Sequence, residues 1–243
     1  MEWQEELNAV KKYINNDFIY EIFRRYGFTI ENQFIKLDSN INVYESCFIS
    51  LLTKLYIEKY KKNGDNLNIL EIGFAYGTSA IIFLNQLRLY NDTKNYHIVD
   101  MNQTKQWNSI GLKNLEIFKK IHDFEFDYKL YEQDSTKILP KLTTKYDIIF
   151  IDGGHSYNIV IQDIKNSDKL LKFGGLMILD DILHDGVKVA LLEFLKLNKN
   201  YHKIKVIETN NNLNLDLDKN IYDKRLKKRD YFNPNSMYAF IKL

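Results

Sequence analysis

The residues with the most chemical potential in this chain stand where short apolar runs stop. One run ends in Glu71-Ile72-Gly73-Phe74-Ala75-Tyr76-Gly77-Thr78-Ser79. Gly73 and Gly77 let the backbone turn tightly and approach a ligand without a Cβ in the way. A helix starting at Thr78 would aim free N–H groups and the positive end of its dipole at an anionic group. A second run stops at Asp100, positioned to accept hydrogen bonds from ribose hydroxyls. A third ends in Gln133-Asp134-Ser135, where Asp134 can accept from the exocyclic amine of an adenine. Together they outline a site for a nucleoside cofactor, although the loop alone would also suit a ligand-free strand-to-helix turn. The glycines are four apart and Ala75 stands between them, which departs from the G-x-G-x-x-G of nicotinamide enzymes. No G-x-x-x-x-G-K-[ST] phosphate loop occurs.

Two later runs end in acids: Phe150-Ile151-Asp152-Gly153-Gly154-His155 and Ile178-Leu179-Asp180-Asp181. The elements that must position all these groups follow from periodicity. Strand-like runs at 68–73, 96–100, 126–133, 146–152 and 175–180 alternate with helical patterns at 78–89, 157–171 and 187–197. Near-continuous apolar strands between helices predict an α/β, doubly wound, mostly parallel sheet covered on both faces. Two further strands, at 203–209 and 236–243, bring the expected count to seven. Such sheets bind ligands at the carboxyl ends of their strands.

Residues 1–64 read as helices over 3–13, 18–26 and 45–61, an extension serving as a lid or a dimer contact. Residues 65–243 form the main domain, and the polar stretch 210–235 reads as a loop or flap. The chain has 243 residues, enough for one sizeable core, with a net charge of +2 and a single cysteine, Cys47. No secretory start and no membrane-length apolar segment is present, so the expectation is a cytoplasmic protein. The basic run Lys224-Arg225-Leu226-Lys227-Lys228-Arg229 invites a nucleic-acid partner. The near-neutral total charge favours a solvated segment instead.

The segment 70–79, the block Phe150-Ile151-Asp152-Gly153-Gly154-His155-Ser156-Tyr157, Asp163, and the block from Leu171 to Asp181 resemble the class I methyltransferase fold. More narrowly, they resemble the family that includes macrocin-type and mycinamicin-type sugar O-methyltransferases and cephalosporin-hydroxylase-like proteins. The resemblance covers about 65–195. It implies bound S-adenosylmethionine, held by Glu71, Gly73, Ala75, Tyr76, Gly77, Thr78, Ser79, Asp100, Asp134, Ser135 and Asp152. It also implies a divalent cation on Asp152, Asp180 and Asp181, with His155 as catalytic base; many relatives carry Glu in place of Asp180.

These residue types suit that chemistry. Three carboxylates without cysteine select Mg2+ or another hard cation. A metal lowers the pKa of a hydroxyl it binds, and an imidazole removes the proton near neutral pH. The implied reaction is methylation of a hydroxyl on a small-molecule acceptor such as a sugar. Other readings stay open: Asp180-Asp181 as a helix cap, His155 as a cofactor contact, and His184-Asp185 as a surface turn or acceptor wall. At the level of the whole chain the alternatives are a nucleic-acid methyltransferase and a cofactor-binding module without transfer activity.

Overall fold

A computed structural model describes residue 8 and residues 41–61, 66–90, 93–209, 212–218 and 236–243. The helices expected at 3–13 and 18–26 and the basic run at 224–229 lie outside the described residues, residue 8 excepted, which is helical.

The chain enters through helix α1 (Val43–Tyr60) and then alternates. Strand β1 (Leu67–Ile72) leads to α2 (Thr78–Leu87), β2 (Thr93–Val99) to α3 (Ile110–His122), and β3 (Asp127–Tyr131) to the short α4 (Ser135–Ile138). Next come β4 (Tyr146–Ile151), α5 (Tyr157–Leu170), β5 (Leu171–Leu179) and α6 (Asp185–Leu197). Three strands close the sheet: β6 (Tyr201–Thr209), β7 (Asn212–Asp218) and β8 (Tyr238–Lys242).

The sheet order is β3-β2-β1-β4-β5-β8-β6-β7. The first five strands are parallel, while β8, β6 and β7 pair antiparallel. The architecture is the predicted doubly wound α/β sheet, with eight described strands rather than seven. The extra one, β7, falls inside the stretch expected to be a loop. Its sequence Asn212-Leu213-Asn214-Leu215-Asp216-Leu217-Asp218 alternates polar and apolar with period two, the signature of a half-exposed edge strand. The Asn-rich and Asp-rich composition concealed that alternation.

Residues alternate across the sheet into two cores. Ile69, Ile148, Phe150, Leu176 and Ile178 face the side of α1, α2 and α3, packing with Phe48, Leu52 and Phe83. Leu70, Ile72, Ile149, Ile151, Met177 and Leu179 face α5 and α6, packing with Val160, Leu191 and Phe194. With both faces covered, the strands are apolar throughout, and β4 is buried at every position.

Helix α1 is buried on nearly every side and lies against α2 and β7. It starts with a capping box: Asn42 Oδ1 accepts from the Glu45 amide at 3.1 Å, and Glu45 Oε2 accepts from the Asn42 amide at 3.0 Å. Among the described residues no helix is long and apolar enough to cross a membrane.

Strand register sets the level at which the functional groups emerge. Ile72 pairs with both Val99 and Ile151, Val99 with Tyr131, and Ile151 with Leu179. All five parallel strands therefore stop at one level. The next residues Gly73, Asp100, Glu132, Asp152 and Asp180 form a single rim. The chain order reverses between β1 and β4, so the crevice of the doubly wound sheet opens at that rim.

Candidate functional site

On the β1 side of the rim, the glycine loop is held almost wholly by backbone geometry. Gly73 and Gly77 have φ of +85° and +76°, and Ala75 has +45°. A Cβ on Gly73 would lie 1.9 Å from the Asp152 carbonyl oxygen, so this glycine lets the loops after β1 and β4 touch. Asp100 Oδ2 accepts from the Phe74 and Ala75 amides at 3.1 and 2.8 Å, and its Oδ1 accepts from the Asn102 amide. Asp100 thus shapes the loop, and as a carboxylate it keeps further lone pairs for a hydroxyl. The Gln103 and Asn114 side-chain amides donate to the Ala75 and Tyr76 carbonyls, and Trp107 stands edge-on to Tyr76 at 5.2 Å.

Two residues expected to touch the cofactor, Glu71 and Ser79, are buried and hydrogen-bonded to each other. The Glu71 carboxyl accepts from the Tyr96 hydroxyl at 2.6 Å and from the Ser79 hydroxyl. Burial pushes Glu71 up to about 8; the two hydroxyl bonds oppose the shift and the Asp100 charge adds to it. Thr78 behaves differently. No side chain caps α2, and the buried Thr78 hydroxyl has no hydrogen-bond partner. An uncapped helix start, an orphaned hydroxyl and two left-handed glycines suit an anionic or polar ligand part.

After β3, Asp134 caps α4, its Oδ1 accepting from the Thr136 amide at 2.9 Å and the Thr136 hydroxyl at 2.7 Å. The hydroxyl bond is the main reason its pKa lies below the usual carboxylate range. Ser135 opens that helix. Close by, Asp163 of α5 is buried, and burial pushes its carboxyl up to about 7 against the pull of the Ser135 hydroxyl.

The β4 and β5 ends are built from side chains instead. Asp180 is buried, and its Oδ1 lies 2.6 Å from the Ser236 hydroxyl, which also lies 2.6 Å from Glu45 Oε1. The Ser236 amide donates to the same Glu45 oxygen. Burial, then the charges of Glu45 and Asp181, push Asp180 up to about 8. Asp152 is raised well above the usual range, first by burial and then by Asp180, Asp181, Glu71 and Glu45. These acids therefore form one electrostatic cluster, drawn from the start of α1 and the ends of β1, β4 and β5, with Ser236 before β8 bonded into it.

Asp181 occupies the left-handed region at φ +56°, a conformation concentrated at functional sites when the residue is not glycine. Its carboxylate points outward. Oδ2 lies 2.7 Å from His155 Nε2, and Oδ1 lies 3.8 Å from His184 Nε2. The two imidazoles stack at 4.6 Å with planes 25° apart.

The structure thus brings His155 and Asp181 into direct contact. The predicted set Asp152, Asp180 and Asp181 shares one charged region. The described residues whose ligand atoms all come within 4.8 Å of one another, however, are His155, Asp181 and His184.

Sequence reasoning missed Glu45 and Ser236, and left His184 open as a surface turn or an acceptor wall. Glu45 reads as the third residue of a helix cap, a role it also performs. Ser236 stands alone after a polar stretch. His184 lies three residues after Asp181, and that spacing before a helix was the available signal.

Residues 70–182 match the family described as "Methyltransferase domain". No curated protein matches the chain. Among solved structures, it resembles the O-methyltransferase TomG from Streptomyces achromogenes, solved with S-adenosylmethionine: 14% identity, TM-score 0.54, covering 96% of this chain and 89% of that one. An O-methyltransferase from Bacillus cereus, solved with S-adenosylhomocysteine, gives 14% identity and TM-score 0.51, covering 95% and 91%. CalS11, a TDP-rhamnose 3'-O-methyltransferase of calicheamicin biosynthesis, gives 12% and 0.53, covering 87% and 92%. At these identities the likeness establishes the fold, that of class I methyltransferases.

Proposed function

We propose that this S-adenosylmethionine-dependent methyltransferase methylates a hydroxyl oxygen of a small molecule, a sugar or similar polyol, with a divalent cation assisting. The observation that carries the reading is the 2.7 Å contact between His155 Nε2 and Asp181, on the same rim as the glycine loop. O-methylation needs a base beside the cofactor, and this is a base already oriented by a carboxylate. The names of the similar structures support oxygen as the methylated atom, and CalS11 supports a sugar as the acceptor class.

S-adenosylmethionine supplies a methyl group activated on a sulfonium, and a cation such as Mg2+ supplies Lewis acidity toward the acceptor hydroxyl. The loop 73–77 and the start of α2 would bind the cofactor's polar groups, with the Thr78 hydroxyl gaining the partner it lacks. Asp100 and Asp134 would face its ribose and adenine. Asp152, Asp180 and Asp181 would hold the cation once their carboxylates shift together, since their oxygens do not all lie within 4.8 Å of one another here; a cation would offset the burial and neighbouring acids that raise Asp152 and Asp180.

Asp181 Oδ2 would accept a hydrogen bond from His155 Nε2–H, which fixes the tautomer and leaves Nδ1 to take the acceptor's proton. Gly73 and the Asp152 backbone touch, so cofactor loop and acid loop are aligned as one unit.

Calorimetric titration with S-adenosylmethionine, with and without Mg2+, tests the first half. Binding is expected under both conditions, and its absence in both would overturn the reading. His155→Ala is expected to keep cofactor affinity within about twofold and to lose about 10²–10⁴ in methyl transfer to a sugar acceptor. Undiminished transfer would remove His155 as the base.

A further inference from the structure

We propose that His155, Asp181 and His184 form a second cation site, selective for a borderline transition ion such as Zn2+ over Mg2+. Its occupancy withdraws His155 from proton transfer and so inhibits the enzyme. The inhibitory part rests on the proposed role of His155 as base; the binding part stands on geometry alone.

Both imidazoles turn their Nε2 edge toward the same carboxylate, one to each oxygen, at 2.7 and 3.8 Å. Their rings stack at 4.6 Å with planes 25° apart, so one exposed imidazole must turn about its side-chain bonds for both in-plane lone pairs to meet a common ion. All three ligand atoms fall within 4.8 Å of one another. Ligands around a tetrahedral zinc, with bonds of about 2.0–2.2 Å, sit roughly 3.3–3.5 Å apart. The 2.7 Å contact of His155 must open and the wider ligand spacings, all within 4.8 Å, must close, with loss of the Nε2 proton from His155.

The frame holding these ligands is stiff. The His184 amide donates to the Asp181 carbonyl at 2.8 Å, and the His184 carbonyl accepts from the Lys188 amide, which fixes the turn into α6. Gly186 packs so tightly on the neighbouring loop that a Cβ there would lie 2.2 Å from the His155 carbonyl oxygen. The β4 and β5 loops are therefore clamped together behind the ligands. In front they are open: the three side chains keep 44%, 31% and 55% of their surface exposed, which admits an ion and leaves room for water as a fourth ligand.

Ligand chemistry decides the occupant. Two nitrogens and one carboxylate suit Zn2+, Co2+ or Ni2+, whereas Mg2+ prefers an all-oxygen shell and gives up its water reluctantly. The all-carboxylate cluster a few residues away is the Mg2+ type of site. The two share Asp181, so a transition ion would also take one ligand from it.

The test uses the full chain, with ZnCl2, CoCl2 and MgCl2 as probes. Calorimetry is expected to give one Zn2+ per chain, bound at least 100-fold more tightly than Mg2+. Co2+ is expected to show visible bands of nitrogen-ligated cobalt. His184→Ala, an exposed substitution, is expected to weaken Zn2+ at least tenfold and to raise the Zn2+ needed for half-inhibition by a similar factor, while His202→Ala changes neither.

Zn2+ affinity unchanged in His184→Ala, or no Zn2+ binding at all, overturns the site. Binding that depends on His184 without loss of methyl transfer overturns the inhibitory role and leaves the site standing. A failure of the methyltransferase reading would instead appear as absent cofactor binding in metal-free protein.

Discussion

The two halves of the rim are built on opposite plans. On the β1 side, backbone does the shaping: left-handed glycines, an uncapped helix, and a carboxylate from Asp100 spent on two loop amides. On the β4 and β5 side, side chains do it. Acids from α1, β4 and β5, a serine before β8 and two histidines meet without a lysine or arginine among the causes that shift Asp152 or Asp180. A cofactor of constant shape suits the first plan, because fixed amides cost no reordering on binding. A cation and a proton suit the second, because charge is what those groups recognise.

The contrast breaks hardest at Gly73. Gly73→Ala must place a methyl group 1.9 Å from the Asp152 carbonyl oxygen in a left-handed conformation, so both loops are displaced. Calorimetry should show at least a 100-fold loss of S-adenosylmethionine affinity, and thermal unfolding a loss of several kcal/mol. Gly174→Ala is the matched control. Its φ is +74° but nothing lies within 4 Å, so only the backbone cost of about 1–2 kcal/mol is expected, with cofactor affinity intact. Equal effects at the two glycines would show that φ, not contact between the loops, is what matters.

Buried acids supply a second, smaller lever. Glu71 and Asp180 titrate near 8 in the folded chain and near 4 when unfolded. Between those values the folded state holds protons that the unfolded state releases. Stability from this source is therefore complete below pH 4 and declines as pH rises toward 8, by at most about 1.4 kcal/mol per pH unit per group. Urea unfolding without added metal should show that decline. Glu71→Gln, which keeps the shape and removes the charge, should flatten it. A variant whose stability falls with pH as steeply as the wild type would remove Glu71 from the account.

The smallest expected effect is Ser236→Ala. It deletes the hydroxyl lying 2.6 Å from both Glu45 and Asp180, at a cost of about 1–2 kcal/mol in denaturant unfolding. Cofactor affinity should stay within twofold, since the serine belongs to the charged half. A tenfold loss would mean that the halves are not independent.

Much of the fold and of the rim was legible in the order of residues. The apolar runs 68–73, 146–152 and 175–180 became β1, β4 and β5, and the glycine loop and rim acids fell where strand ends predicted. Period-two and period-3.6 patterns are local, so they survive without tertiary information. The same rule, applied through the polar composition of 212–218, would have found β7. What it could not find was Glu45 beside Ser236, which are 191 positions apart.

The sequence by itself determined the parallel α/β sheet, the rim of acids and the glycine turn, because each depends on neighbours within a few residues. Tertiary structure decided how those groups are used. It turned Glu71 and Ser79 toward each other under the loop and brought α1 into the acid cluster. It also set His155, Asp181 and His184 face to face. Side-chain direction and the meeting of distant segments depend on packing around the whole core, which no local spacing encodes.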